Sequence, residues 1–262
     1  MRIIITKDYQ ELSQKAASLI AQQLKEKPSS VLCFATGSTP LGTYERLVAF
    51  CKKGEADFSK VFTFNLDEYY GLADDHPQSY HYFMSEHLFK HVNLRKGKSL
   101  IPDGTVKNIK EYCKHYEWEM KQKGGIDLQL LGLGSDGHIG FNEPGSSLGS
   151  RTRLKTLDEQ TVKDNSRFFD SEKDVPRYVL TMGIGTIMEA RKIVFLVSGE
   201  NKASILQKVV EGPVTSMVPA SALQLHPNTV LIADEPAASK LARKDYYSYV
   251  EKMQERYEKG EI

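Results

Sequence analysis

Cysteine is scarce in this 262-residue chain: Cys33, Cys51 and Cys113 are odd in number, widely spaced and without a CxxC pair. That argues against a disulfide framework or a zinc site and predicts three reduced thiols. A dominant sign of charge is lacking as well. Lys and Arg number 35 against 34 Asp and Glu, a formal net charge of +1, which points to neither nucleic acid nor an anionic membrane surface. No apolar run approaches the ~20 residues that span a bilayer. Met1 leads directly into the strand pattern Arg2-Ile3-Ile4-Ile5-Thr6, with no secretory n-, h- and c-regions. The expectation is a cytoplasmic chain. No HExxH occurs, and the turn Thr36-Gly37-Ser38-Thr39-Pro40 is neither a GxGxxG nor a Walker loop, because no Lys follows its glycine segment. This disfavours metalloprotease chemistry and weakens dinucleotide and NTPase readings of that turn. Internal repeats, low-complexity tracts and Pro-rich linkers are missing too. Residues 1–262 are therefore expected to form a single domain, long enough to bury a full core.

What is present is alternation. Strand patterns at 3–6, 31–35, 61–65, 128–133, 178–182, 193–197 and 230–233 are interleaved with helical patterns. Asp8 and Glu11 form a D-x-x-E capping signal for a helix whose apolar positions are Leu12, Ala16, Leu19, Ile20 and Leu24. Further helices are predicted at 41–52, 80–91, 109–123, 184–190 and 201–211, with a polar one at the C-terminus. Such alternation specifies an α/β fold: a doubly wound, mostly parallel sheet with helices on both faces, in the manner of a modified Rossmann fold. Right-handed crossovers gather the loops after the strands at one edge, where open sheets bind ligands. The least regular stretch, 144–175, is either a mobile lid or a long insertion.

Leu131 to Pro144 is the most informative segment. An apolar strand breaks into glycines, and Asp136, His138 and Glu143 follow within it. A histidine flanked by two acids at a strand end suits proton transfer, because one acid can fix the tautomer while the other relays the proton. The alternative, a glycine-rich loop whose polar groups satisfy turn amides, is disfavoured by the number of matched residue types. Thr36 to Pro40 lies between a strand and a helix, where Gly37, Ser38 and Thr39 suit a small phosphate ester. A plain turn capped by Thr39 fits that segment nearly as well. Arg167 and Lys202 are the candidate phosphate cations, although either alone also reads as a surface charge. Asp67 and Glu68 end a strand at the same edge; Asp67, nearer the strand, is the candidate base, and an N-cap with a surface charge is the alternative. His76, His81, His87, His91, His115 and His226 carry no such frame, and no set of residues has metal-ligand spacing.

Taken together, these residues resemble the glucosamine-6-phosphate deaminase (isomerising) family over nearly the whole chain. The matching blocks are ATGSTPLGTY at 35–44, NLDEYYGL at 65–72, LGLGSDGHIGFNEPGSSLGSRTR at 131–153, NSRFF at 165–169, LTMGIGTI at 180–187 and ALQLHP at 222–227. The resemblance implies conversion of D-glucosamine 6-phosphate and water to D-fructose 6-phosphate and ammonia, a net hydrolytic loss of the amino group. It assigns C2 proton abstraction to Asp67, and ring opening to His138 oriented by Asp136 and Glu143. Gly37, Ser38, Thr39, Arg167 and Lys202 match phosphate-contacting positions. No nicotinamide, pyridoxal phosphate or metal is implied. Two rivals are a 6-phosphogluconolactonase-like hydrolase, which needs no base at Asp67, and a non-catalytic sugar-phosphate sensor, which would lose the acid–base set.

Regulation divides the sequence. Arg151, Arg153 and Lys155 alternate, so on an extended segment they would project to one side and suit a second phosphate. The resemblance implies that Ser146, Arg153, Lys155 and Thr156 match residues that bind N-acetylglucosamine 6-phosphate as an activator between subunits of hexameric members. Against this, a tyrosine of those members aligns with Ser248, and Met217-Val218-Pro219-Ala220-Ser221 is similar to the smaller, unregulated branch. A homo-oligomer and a monomer both remain open.

Overall fold

The computed structural model describes residues 1–167 and 169–261. Phe168, within the NSRFF block, lies outside the described residues. The first half of the chain runs β1 (Arg2–Thr6), α1 (Tyr9–Glu26), β2 (Val31–Phe34), α2 (Leu41–Lys52), β3 (Phe62–Asn65), β4 (Asp67–Tyr69), α3 (Tyr80–His87), β5 (Ser99–Leu100), α4 (Ile109–Gln122) and β6 (Leu128–Gly132). Then come β7 (Arg153–Thr156), α5 (Glu159–Ser166), β8 (Tyr178–Thr181), α6 (Ile184–Ile187), β9 (Ile193–Val197), α7 (Ala203–Glu211), β10 (Thr229–Asp234) and α8 (Lys244–Glu258). The predicted cap on α1 forms: Asp8 accepts from the Glu11 N–H at 3.0 Å, and the Glu11 carboxylate accepts from the Lys7 N–H at 2.7 Å.

Seven strands form a parallel sheet in the order β1-β10-β9-β6-β2-β3-β5. Every residue of β2, β9 and β10 is buried, which is why 31–34, 193–197 and 230–233 are continuous apolar runs rather than alternating ones. Side chains on successive residues point to opposite faces, and each face has its own core. Leu32 and Phe34 pack with Leu12 and Ile20 of α1, Tyr44 and Leu47 of α2, and Met84 of α3. Cys33, Phe64 and Phe195 pack on the other face with Tyr116 of α4, Ile187 of α6, and Leu206 and Val209 of α7. Each such side chain taken out of water contributes roughly 1.5–3 kcal/mol.

From β2 the sheet grows one way through β3 and β5, whereas β6 joins β2 on its other side. The direction of winding therefore reverses between β2 and β6. The loops that follow these two strands open on the crevice in which such sheets bind ligands.

Two expectations need correction. The strand near 178–182 belongs not to the parallel sheet but to a second, antiparallel sheet in the order β4-β8-β7. Segment 144–175 is also more regular than its composition suggests. Its β7 pairs with β8, placing Arg153 opposite Thr181, and α5 is capped by Asp158. A third apolar cluster of Tyr69, Phe141, Leu157, Val162, Val175 and Val179 fixes this small sheet and α5 to the body. Among the described residues the three cysteines are free, and no helix is long and apolar enough to cross a membrane.

Candidate active site

The loop after β6 is shaped by its glycines. Gly137 and Gly140 have φ of +96° and +57°, values that cost other residues strain. At Gly134 the constraint is contact instead: a Cβ there would lie 2.3 Å from Cε1 and Nδ1 of His138. The imidazole thus rests on the Gly134 backbone. Phe141 covers it from elsewhere, with ring centroids 6.4 Å apart and planes 23° from parallel. Asp136 Oδ1 accepts from the His138 backbone N–H at 3.1 Å and stands 2.7 Å from Nδ1. Burial alone would raise the Asp136 carboxyl, but the hydrogen bonds and charge of His138 outweigh it and hold the carboxyl below its ordinary value. An ionised acid at Nδ1 favours the tautomer protonated there and leaves Nε2 as the basic nitrogen.

Glu143, the second acid of the loop, is buried, and its Oε1 accepts from the Asp158 N–H at 2.8 Å. Among the described residues that amide, rather than the imidazole, is its hydrogen-bond partner. The loop is therefore joined through Glu143 to the start of α5, while Asp136 alone meets the histidine ring.

β4 brings Asp67 to the same place. A Cβ at Gly140 would lie 3.4 Å from Asp67 Oδ2 and 3.0 Å from Thr181 Oγ1, so the loop that carries His138 lies close over Asp67. The residue is 5% exposed, and its carboxyl accepts no hydrogen bond among the described residues. Burial first, and then the charge of Glu68, push its pKa well above the usual carboxylate range. Glu68 is buried too, but it is hydrogen-bonded. It accepts from the backbone N–H groups of Tyr69, Tyr80 and His81 at 2.7, 2.8 and 3.1 Å, and His81 Nδ1 lies 3.0 Å away. Glu68 anchors the start of α3 and has little capacity left for a substrate.

Across the crevice, Gly37 (φ +91°), Ser38 and Thr39 follow β2. After β9, Asp234 folds the next loop by accepting from the Ser198 hydroxyl and from the N–H groups of Gly199 at 3.1 Å and Ala237 at 2.9 Å. Lys202 emerges from this turn just before α7. Its pKa is lowered by burial, with Asp136 and Asp164 opposing that shift and Arg167 adding to it. Both predicted cations are thus near enough to feel each other, and Lys202 also feels the acid that orients His138. Hydrogen bonds from Ser135 Oγ to Asp164 Oδ2 at 3.1 Å and from Asn165 Nδ2 to the Tyr69 hydroxyl at 2.9 Å tie α5 to the loop after β6 and to β4.

The candidate regulatory residues are less uniform than their alternation suggests. Arg151 does not join a basic strip: its guanidinium is captured by Glu117 of α4, with Nη2 at 2.7 Å, and by Glu189. Arg153 Nη1 donates to Asn142 Oδ1 at 2.9 Å and to the Arg151 carbonyl at 3.2 Å. Lys155 is half-buried and Thr156 exposed, and the buried Ser146 hydroxyl has no partner among the described residues. Asn142, which the sequence reasoning missed, is the hub here. Its Nδ2 donates to the carbonyls of Ile139 and Met182 at 2.9 and 2.7 Å. Among the described residues no group of three or more His, Cys, Asp or Glu is placed to hold a metal ion.

A profile of the family described as glucosamine-6-phosphate isomerases/6-phosphogluconolactonase matches residues 7–232. The chain is 52% identical over 245 residues to a glucosamine-6-phosphate deaminase of Thermoanaerobacter pseudethanolicus, covering 94% of this chain and 97% of that one. It is 51% identical to a glucosamine-6-phosphate deaminase of Shewanella woodyi, covering 96% and 95%. Among solved structures, a protein described as a monomeric glucosamine-6-phosphate deaminase superposes with a TM-score of 0.90 at 44% identity, over 92% of this chain and all of the other. A 6-phosphogluconolactonase from Trypanosoma brucei superposes at 0.70 with 22% identity, over 92% of this chain and 98% of that one, a likeness of fold alone.

Proposed function

The chain belongs to the glucosamine-6-phosphate isomerase/6-phosphogluconolactonase family, and on that premise we propose that it converts D-glucosamine 6-phosphate and water into D-fructose 6-phosphate and ammonia. The observation that carries this reading is the pairing of two unlike acid–base groups at one loop. Asp67 is buried and unbonded beside Gly140, while His138, on the same loop, meets an ionised Asp136.

Each group suits one step. Opening the pyranose moves a proton from the C1 hydroxyl to the ring oxygen, and His138 takes and returns it through Nε2. Asp67 then removes the C2 proton, whose bonding pair forms C1=C2 as the carbonyl O1 takes up a proton to give an enolamine. The nitrogen lone pair next forms C2=N as the proton held by Asp67 returns to C1, leaving an imine at C2 and a hydroxyl on C1. Water adds to that carbon and ammonia departs, leaving the ketone. A carboxyl in apolar surroundings becomes a stronger base than one in water, which brings Asp67 nearer to the demand of C–H abstraction. Glu143 completes the acid set by tethering the loop to α5 through Asp158. No step changes oxidation state overall or requires an external electron sink.

Gly37, Ser38, Thr39, Arg167 and Lys202 are proposed to hold the phosphate. Binding energy at this remote group keeps the sugar carbons against the two bases. We assign closure over the bound sugar to segment 144–175, with β7 as its fixed base. Ser146, Arg153, Lys155 and Thr156 are the proposed site for N-acetylglucosamine 6-phosphate as an activator. Purified protein, with no metal or cofactor added, should release ammonia and fructose 6-phosphate from glucosamine 6-phosphate. Turnover of a phosphogluconolactone alone would overturn the assignment.

A further inference from the structure

We infer that Tyr9 is a positioning residue of the phosphate loop, holding the Ser38–Thr39 backbone from outside in the form that receives the sugar phosphate. The inference rests on the functional reading above for its substrate, but not for its geometry. Tyr9 opens α1, which follows β1 at the far edge of the sheet in strand order, yet its hydroxyl reaches the loop after β2. The Tyr9 O–H donates to the Thr39 carbonyl at 3.0 Å, with the Ser38 carbonyl at 3.2 Å sharing the proton. The same oxygen accepts from the Gly42 N–H at 2.8 Å.

Three features make this contact more than packing. The residue before α2 is Pro40, which offers no side-chain cap, so the first turn of that helix depends on a donor or acceptor from elsewhere. The Tyr9 hydroxyl supplies an acceptor at Gly42. The approach is close: a Cβ at Gly42 would lie 2.5 Å from Ser13 Oγ and 3.1 Å from Tyr9 Cε1, so glycine admits both α1 side chains. Finally, a trans peptide points its C=O and N–H in opposite directions. Turning the Ser38 carbonyl toward Tyr9 turns the Thr39 N–H away from it, to the side where an oxyanion would meet it. Gly37, at φ +91°, is the neighbouring joint about which an unheld loop would move. Tyr9, Ser38, Thr39 and Ser198 also border one open cleft of about 470 Å³, which joins this support to the loop that precedes Lys202.

The test is Tyr9→Phe, which keeps the ring and removes the hydroxyl. KM for glucosamine 6-phosphate should rise about three- to ten-fold, as loss of one hydrogen-bonding group implies, while kcat stays within about two-fold. The dissociation constant of inorganic phosphate, measured by calorimetry on the unliganded protein, should rise by the same factor. Tyr9→Leu, which also loses the ring, should match Tyr9→Phe in phosphate affinity and add a drop in Tm. If Tyr9→Phe leaves KM and phosphate affinity unchanged, or if only Tyr9→Leu alters them, the inference is overturned. A parent protein that releases no ammonia would refute the assigned reaction, and the calorimetric comparison would still decide the role of Tyr9.

Discussion

Asp67 should make the folded protein less stable as pH rises, and Asp67→Asn should remove that dependence. The carboxyl is buried beside Glu68 without a hydrogen bond, and its folded-state pKa lies well above the usual range. In the unfolded chain it ionises near ~3.9. Below that pH both states hold the proton and Asp67 exacts no penalty. Between that pH and the folded-state pKa, the folded chain keeps a proton that the unfolded chain has lost. Stability then falls by about 1.4 kcal/mol for each pH unit, and above the folded-state pKa the loss is complete and constant. An amide at this position has no proton to lose. Urea midpoints for parent and variant at half-unit steps from about pH 4 to pH 8 isolate the effect. Packing differences enter the intercept, whereas only Asp67 enters the difference in slope. The variant should gain on the parent with that slope up to the folded-state pKa, above which the carboxylate that proton abstraction needs is formed and the difference stays constant. Curves parallel over the whole range would show that Asp67 ionises in the fold as it does in water, and would refute the reasoning. The same substitution should suppress exchange of the substrate C2 proton with solvent by about 10²–10⁴-fold while sugar-phosphate binding persists.

His138→Gln should impair turnover of cyclic substrate more than of an open-chain analogue, and Gly134→Ala should reproduce that pattern without touching an ionisable group, because the new Cβ would occupy the place of the imidazole. Equal losses on both substrates would dissociate His138 from ring opening. Lys202→Ala and Arg167→Ala should each raise KM by about one to two orders of magnitude, the equivalent of ~1.5–3 kcal/mol for a charge-assisted hydrogen bond; an unmoved KM in both variants would put the phosphate elsewhere.

The parallel sheet was legible because central strands buried on both faces carry unbroken apolar runs, as β2, β9 and residues 230–233 of β10 do. The antiparallel sheet was not. Its β4 has three residues, and its β7 reads Arg-Leu-Lys-Thr, too short and too polar to announce pairing before β8 is in place. Sequence position favours Asp67 over Glu68 only by nearness to the strand end; the difference in their surroundings appears in three dimensions, when α3 returns its first N–H groups to Glu68. Arg151 was misjudged for a similar reason, since Glu117 lies 34 positions earlier in sequence. Tyr9, Asn142 and Asp234 act on backbone amides and carbonyls, a role for which residue type gives almost no signal.

The candidate regulatory residues and the candidate catalytic loop share Asn142. Two bonds from its Nδ2 pin the loop that carries His138 to Ile139 and to Met182 beyond β8, and its Oδ1 accepts from Arg153. The Arg153 guanidinium is half-buried, its pKa lowered by that burial, and no carboxylate forms an ion pair with it among the described residues. An activator phosphate would supply the missing anion. A phosphate pairs with a guanidinium through opposite charge and a two-pronged geometry that an amide oxygen lacks, so the phosphate should displace the Asn142 amide from Nη1. Only one of the hub's three bonds is lost in that exchange. A hydrogen bond to a charged group contributes about 1.5–3 kcal/mol, which limits the effect on catalysis within one chain to roughly one to two orders of magnitude. Kinetics with and without N-acetylglucosamine 6-phosphate, together with sedimentation, test this limit. A monomer should respond by no more than about a hundred-fold, and Arg153→Ala should abolish whatever response exists. A larger activation in a protein that sediments as a monomer would refute the Asn142 route, whereas a larger activation in an oligomer would require a second subunit to complete the site.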